Sequence, residues 1–377
     1  MRIDHRLARK IDFGLIAVVL IICIIGVMMV GSATEGALSN RHIRTQIISV
    51  LIGIGAIIAI MLIDYNSLSR MYIPIYILSN ALLLAVLVMG TGQEQWGANR
   101  WIRIAGFQFQ PADFAKIGII ICLAKMIDDN KESIHKIPTL MKIIAFAGLP
   151  MLLIMRQPDL GTTMAFASFT FGMLFIAGLR YKHILITGIM GVVSLPFMWF
   201  VVLKGYQQQR ILTFLNPELD PQGAGYHIIQ SKITVGAGRT LGMRLENFLG
   251  INPPSTTFFH HFGFLPEKHT DFIFSVIAQE LGFVGSIVLL ILYAILLIKC
   301  MNVAREAKDD FGKYIVTGIT FMLAFHIIAN IAMTIGLMPV TGKPLPFVSY
   351  GGTFMLSNMI ALGLVLNVNM RRDKINF

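Results

Sequence analysis

The sequence predicts an all-α polytopic membrane protein. The expectation is about ten transmembrane helices, an N-in/C-in topology and one long extracytoplasmic loop between helices 7 and 8. Three observations carry it. The 377 residues are 55% hydrophobic and only 14% charged, with a mean hydropathy of +0.72, where soluble domains average about 25% charged residues. Ten apolar runs approach the ~20 residues that a membrane-crossing helix needs. Lys and Arg also fall unevenly on alternate connections, which orients a membrane chain.

The runs are 13–31, 47–63, 71–90, 111–127, 138–155, 161–178, 184–203, 271–298, 314–338 and 347–370. The fourth is the least apolar, and only a short polar break separates the fifth from the sixth. An even count puts both termini on one side. Segments on that side hold 16 Lys and Arg, and the short segments opposite hold six. The richer side reads as cytoplasmic, which places loop 204–270 and the start of the 271–298 run outside the cell membrane. Phe13 to Gly31 is long enough to span and shows no convincing cleavage site. The net charge of +11 sits on no soluble basic patch. Topology and anionic lipid headgroups account for it better than nucleic acid does.

Loop 204–270 is the one sizeable extramembrane piece. Turn formers punctuate it (Asn216-Pro217, Asp220-Pro221, Pro253-Pro254), and it is either disordered or docked on the bundle. Tyr226 to Val235 has the apolar spacing of a short interfacial helix. No second domain is expected, so residues 1–377 read as a single transmembrane domain. Cys23, Cys122 and Cys300 match no metal or disulfide pattern. His260, His261 and His269 lack the partner spacing of a zinc site. His326, inside the ninth run, reads as an interhelix hydrogen-bonding residue.

Ionisable groups near the bilayer carry the chemistry, because burying them is expensive. Asp271 sits at the seam between the polar run Glu267-Lys-His-Thr270 and a long apolar segment. Partial desolvation lifts a carboxyl pKa from about 3.9 towards neutrality, where a general base works best. The alternative is an N-cap, a role that suits Asp. Asp113 and Lys116 lie three apart on a helix that Pro111 can start, a polar functional pair or a local ion pair with a snorkelling lysine. Asp159 caps the next run or faces the outer mouth. Arg100-Trp101 reads as an interface anchor with a headgroup contact. Arg210 is a phosphate clamp or a solvated arginine. Ser349, before Gly351-Gly352, marks a close backbone approach or simple helix packing.

Taken together, these segments resemble a known family. LPEKHTDFIFSVIAQELG (265–282), QPADFAK (110–116), QPDLGT (157–162), GANRW (97–101), PLPFVSYGG (344–352) and the stretch Arg210 to Ser231 follow, in order, the motifs of the SEDS (shape, elongation, division and sporulation) family. The pattern is nearest that of its elongation members. The resemblance implies a peptidoglycan glycosyltransferase of the bacterial cell membrane that polymerises lipid II, with Asp271 as the proposed catalytic residue. Lys116, Arg210, Asp113, Asp159, Arg100 and Ser349 then become candidates for binding substrate and pyrophosphate. Asp113 stands where the family pattern has Glu. The resemblance also implies Mg²⁺ or Mn²⁺, with substrate phosphate among the ligands. A class B penicillin-binding protein, other elongation-machinery membrane proteins and membrane lipids are the implied partners. Residues 239–262 depart from the pattern, through a compensated frameshift or a divergent insertion. A lipid II flippase and a non-catalytic elongation scaffold are the competing functions. Acidic motifs gathered at the outer mouths, without internal repeats, favour the enzyme over a carrier.

Overall fold

The computed structural model describes residues 10–34, 36–92, 100–104, 107–183, scattered positions between 185 and 200, 205–220, 223–249 and 265–372. Thirteen helices and one short hairpin are described. In order they are α1 (Phe13–Ala33), α2 (Gly36–Leu62), α3 (Tyr65–Arg70), α4 (Tyr72–Met89), β1 (Ile102–Ile104), β2 (Phe107–Phe109), α5 (Pro111–Asp129), α6 (Ile137–Arg156) and α7 (Leu160–Ile176). There follow α8 (Gly205–Leu215), α9 (Ala224–Ala237), α10 (Met243–Phe248), α11 (Ile273–Arg305), α12 (Asp310–Thr334) and α13 (Gly352–Met370).

Seven described helices are long and apolar enough to cross a membrane: α1, α2 from Ser39, α4, α6, α11, α12 and α13. At 17 residues α7 is shorter. α5 forms where the fourth run was expected, and Asp113, Lys116, Lys125, Asp128 and Asp129 make it the most charged of the set. The seventh run, 184–203, lies largely outside the described residues. The fold is therefore a helical, multi-pass membrane bundle. The antiparallel β1–β2 pair, with Ile102 opposite Phe109, occupies what the sequence suggested was a plain outer loop.

Capping residues set the helix starts. Asp12 accepts from the Leu15 N–H at 2.9 Å and pairs with Lys299 at 3.0 Å. Asp309 accepts from the Gly312 N–H at 2.7 Å and from the Tyr65 hydroxyl at 2.7 Å. Each satisfies an orphan donor of its helix end. Asn369 donates to the Lys10 carbonyl at 3.2 Å. The first and last described segments, at Lys10 and Asn369, therefore meet at one end of the bundle, and Asp271 lies at the other, before α11.

At the centre is α12, packed against α5, α7, α9, α11 and α13. α13 is buried on nearly every side and lies along α2. α12 and α13 start later or end earlier than their apolar runs, because residues 335–351 form an irregular loop between them. α9 realises the short helix expected at 226–235 but docks on the bundle. Its buried Ser231 meets Ser275 of α11 at 2.7 Å and donates to the Thr334 carbonyl of α12 at 2.7 Å.

α11 is broken at Gly282 (φ 68°, ψ −166°), a conformation open essentially to glycine. The break frees two backbone donors, and the segment after α9 satisfies them. Phe283 N–H donates to the Arg239 carbonyl at 2.9 Å and Val284 N–H to that of Thr240 at 3.1 Å. Residues 239–248, the first part of the atypical stretch, thus seat specifically on α11. Residues 250–264 fall outside the described set.

A Cβ at position 282 would collide with the backbone of Leu241 and Gly242. Gly282→Ala is expected to cost at least about 1–3 kcal/mol, read as a lower thermal midpoint of the purified protein. Gly55→Ala, in α2 with nothing near its Cβ, is the control and should be neutral or gain up to about 1 kcal/mol.

Candidate functional site

The end of the bundle opposite Lys10 and Asn369 collects side chains from five places: the segment entering the β-hairpin, the α6–α7 corner, α8, the turn before α11 and the α12–α13 loop. The turn before α11 holds Asp271. The helix begins at Ile273, and its N-cap position is Phe272, with no side-chain cap. Asp271 is therefore not spent on capping. Its carboxylate makes no hydrogen bond or ion pair among the described residues, and it keeps partial solvent access. It lies beside Gly342, whose φ of +61° leaves room for it; a Cβ there would sit 3.2 Å from Oδ2.

The backbone around Asp271 is held carbonyl by carbonyl. Tyr350 N–H donates to the His269 carbonyl at 2.9 Å. The Ser349 hydroxyl donates to that of Thr270 at 2.7 Å, and Asn330 Nδ2 to that of Asp271 at 2.7 Å. Ser349 also accepts from the Leu345 N–H at 2.7 Å. Its hydroxyl is thus occupied by backbone and positions the turn. From the other side, Gln46 Nε2 donates to the carbonyls of Val348 and Ser349 at 3.3 and 3.1 Å.

Burial is the largest influence on the Asp271 carboxyl. It acts with the nearby Glu267 charge and against Lys343, Arg100 and Arg210 to raise the pKa from an ordinary 3.8 to about 6. Such a group is mostly ionised at neutral pH and basic enough to take a proton.

Asp159 lies next to this group. It caps α7 through the Thr162 N–H at 3.0 Å and accepts from the Thr162 hydroxyl at 2.8 Å. It also pairs with Lys343 at 2.7 Å. Asp159 and Lys343 are only 2% and 4% exposed, so neither charge can be removed cheaply. Burial opposes ionisation of Asp159, but Lys343, Arg100 and the hydrogen bonds outweigh it and hold the carboxyl below its ordinary value. Burial also draws the Lys343 ammonium down, against the pull of Asp159. Gly161 makes room for the Lys343 chain, since a Cβ there would overlap it. Arg100 Nη2 donates to the Pro158 carbonyl at 2.5 Å, and its Nε is buried with no hydrogen-bond partner among the described residues.

Lys116 is 2% exposed and does not snorkel. It pairs with Asp113 at 2.9 Å, meets His326 Nε2 at 3.1 Å and lies 5.4 Å from the Phe354 ring centroid. Arg210, on α8, reaches the Val340 carbonyl at 3.3 Å. Asp271, Asp159, Arg100 and Arg210 thus gather at one end of the bundle. Lys116 and Asp113 lie within the bundle, linked to it through α12.

Two further residues belong here. Lys343 entered the sequence reading only as an outer-loop charge. The signal for it was a lone lysine in Gly342-Lys343-Pro344, with an unpaired Asp159 in another outer corner. Asn330 was legible as a polar residue four positions after His326 in an apolar run. Among the described residues no three His, Cys, Asp or Glu converge as a metal set. The described residues do not form an all-protein metal cage.

These features define a multi-pass membrane protein with a polar, mixed-charge site at one end of its helical bundle. The family described as "Cell cycle protein", comprising the FtsW, RodA and SpoVE proteins, matches residues 11–374. The chain belongs to this family, the one its motifs resemble. It is 38% identical over 381 residues to the probable peptidoglycan glycosyltransferase FtsW of Trichlorobacter lovleyi, covering 98% of this chain and 95% of that one. It is 37% identical over 303 residues to the peptidoglycan glycosyltransferase MrdB of Escherichia coli, covering 80% and 78%. A solved structure described as structural coordination of polymerization and crosslinking by a peptidoglycan synthase complex superposes with a TM-score of 0.82. It is 29% identical and covers 96% of this chain and 98% of that chain.

The buried Asp159–Lys343 pair generates a stability test. Lys343→Met strands a buried carboxylate and should lower stability by about 3–5 kcal/mol. Adding Asp159→Asn, which keeps a capping side chain, should restore part of the lost thermal midpoint. A double variant no more stable than Lys343→Met would contradict the pairing.

Proposed function

We propose that the chain is a peptidoglycan glycosyltransferase that polymerises lipid II into glycan strands during cell elongation. The carrying observation is the Asp271 carboxylate: half-buried, without a hydrogen bond or ion pair among the described residues, and near Lys343, Arg100 and Arg210. Asp271 acts as general base. It takes the proton of the acceptor sugar's 4-hydroxyl as that oxygen attacks the donor's anomeric carbon. The bond from that carbon to phosphate breaks, and undecaprenyl pyrophosphate leaves with the electron pair. An α-linked donor then gives a β-linked product, an inversion that needs a base and no covalent sugar–enzyme intermediate. Arg210 and Arg100 face the growing phosphate charge, where preorganised cations stabilise a transition state most. Lys116, fixed by Asp113 and His326, adds positive potential from within the bundle. Mg²⁺ or Mn²⁺, if bound, would be held mainly by the substrate's phosphate oxygens and would offset the charge of the leaving pyrophosphate.

The topology that suits this chemistry has both termini in the cytoplasm and the Asp271 mouth outside, as the Lys and Arg distribution indicates. A class B penicillin-binding protein is the proposed partner, supported by the likeness to a chain of a peptidoglycan synthase complex. Elongation rather than division rests on the motif pattern; complementation of strains depleted of one or the other activity separates them. The break in α11 favours one second reading, a lipid II flippase, because carriers often build their sites on interrupted helices.

Purified protein with its partner, supplied with labelled lipid II, should produce glycan polymer. Asp271→Asn should lower the rate by about 10²–10⁴-fold while remaining folded. Polymer at the wild-type rate from this variant would remove Asp271 as the base. Lipid transfer across liposomes without polymer would favour the flippase, and neither activity would leave the scaffold.

The pH dependence follows from the sign of the shift. Only ionised Asp271 accepts a proton, so the rate should be level above about pH 7 and fall as pH drops through about 6. An acidic limb near pH 4 instead would show that the carboxylate is not desolvated at work.

Topology has its own test, made clean by burial of all three native cysteines. A membrane-impermeant thiol reagent applied to spheroplasts should label Glu267→Cys and spare Lys308→Cys. The opposite pattern would place the site on the cytoplasmic side.

A further inference from the structure

α12 carries polar residues at four-residue intervals, His326, Asn330 and Thr334, which places them on one helix face. Each meets a different part of the site. His326 contacts Lys116 of α5, and Thr334 offers its carbonyl to Ser231 of α9. Asn330 lies between them and is fully buried. Its Nδ2 has two protons, and both are used: one on the Asp271 carbonyl at 2.7 Å, the other on the Lys343 carbonyl at 2.7 Å. Because both neighbours only accept, the orientation of the amide is fixed by its surroundings. A carboxylate of the same shape would set negative oxygens against two carbonyls.

The other end of the amide is less well served. Asn330 Oδ1 is buried with no hydrogen-bond partner among the described residues. An unmet buried acceptor is costly, so this residue is a poor choice for stability alone. It is a good choice for holding two loops at one spacing. Those loops carry the carboxylate assigned as base and the lysine that anchors Asp159.

We propose that Asn330 is a positioning residue for glycosyl transfer, joining the Asp271 turn to the Lys343 loop so that the base and the Lys343–Asp159 pair keep a fixed separation. This inference rests on the reading of Asp271 as general base. The charged groups that face Asp271 are Glu267 of its own turn, Lys343 of the α12–α13 loop, Arg100 before the hairpin and Arg210 of α8. All four act through distance. Releasing the clamp changes their balance and admits water to the carboxylate.

The test compares wild type, Asn330→Ala, Asn330→Ser and Asn330→Asp as full-length protein with the partner, on labelled lipid II across a pH series. Rates are normalised to folded protein. Asn330→Ala should lower kcat by about 10–100-fold, the scale of a misplaced catalytic group, with KM within about threefold. Its acidic limb should move to lower pH as Asp271 becomes better solvated. Asn330→Ser keeps one donor and should fall between, and Asn330→Asp should resemble Ala or be worse. If Asn330→Ala does not fold, the Ser variant carries the same comparison. An unmoved acidic limb, with no loss left after that normalisation, would show a structural role only and overturn the proposal. Asp271→Asn, run in parallel, separates the two layers. If it polymerises, the base reading falls and takes this one with it. If it is inactive while the Asn330 variants keep the wild-type limb, the positioning role alone is lost.

Discussion

The site depends on three consecutive backbone carbonyls, those of His269, Thr270 and Asp271, each gripped by a donor from elsewhere in the chain. Two of the donors come from the α12–α13 loop and one, Asn330, from the C-terminal part of α12. A turn held in this way cannot rotate its peptide planes without breaking buried hydrogen bonds. That constraint lets an unpaired carboxylate stay desolvated: its neighbours are occupied and cannot swing round to solvate it. A capping Asp at the same place would have been neutralised by the helix N–H groups and lost as a base.

The same end of the bundle tolerates several charges because they are arranged in opposed sets. Asp159 and Lys343 are committed to each other, as are Asp113 and Lys116. Buried pairs of this kind contribute little net stability, because desolvation offsets their attraction. They do fix positions. With Lys343 held on Asp159 and Lys116 held between Asp113 and His326, the surrounding potential is set before substrate arrives, and Asp271 is the acid left to respond. Preorganisation is the general source of electrostatic catalysis, and here it arises from pairing that looks merely structural in any single contact.

Much of this was legible in the sequence. Apolar length located the membrane helices, since crossing the hydrocarbon core takes about 20 mostly apolar residues. Asp271 stood out because it sits at the seam between a polar run and an apolar one, where a cap and a functional carboxylate were the two readings. The contacts that hold it were less visible. Asn330 and Lys343 are distant in sequence from Asp271 and join it only through tertiary packing, which no local spacing reports. Ser349 was singled out as a contact for substrate, yet its hydroxyl is taken up by backbone, a distinction between two polar roles that composition cannot draw. The break in α11 was also hidden: Gly282 sits inside the predicted 271–298 run, and only the docking of residues 239–242 gives it a partner.

That docking ties two environments into one cooperative unit. The amide protons of Phe283 and Val284 find their acceptors in a connection outside the main helices, so the polar connection cannot melt away and leave an intact apolar rod behind. Detaching it would strand two donors where hydrocarbon offers nothing in return. Heat, denaturant or protease acting on the solvated connection must therefore disturb the helix that follows Asp271, and the two should lose structure together.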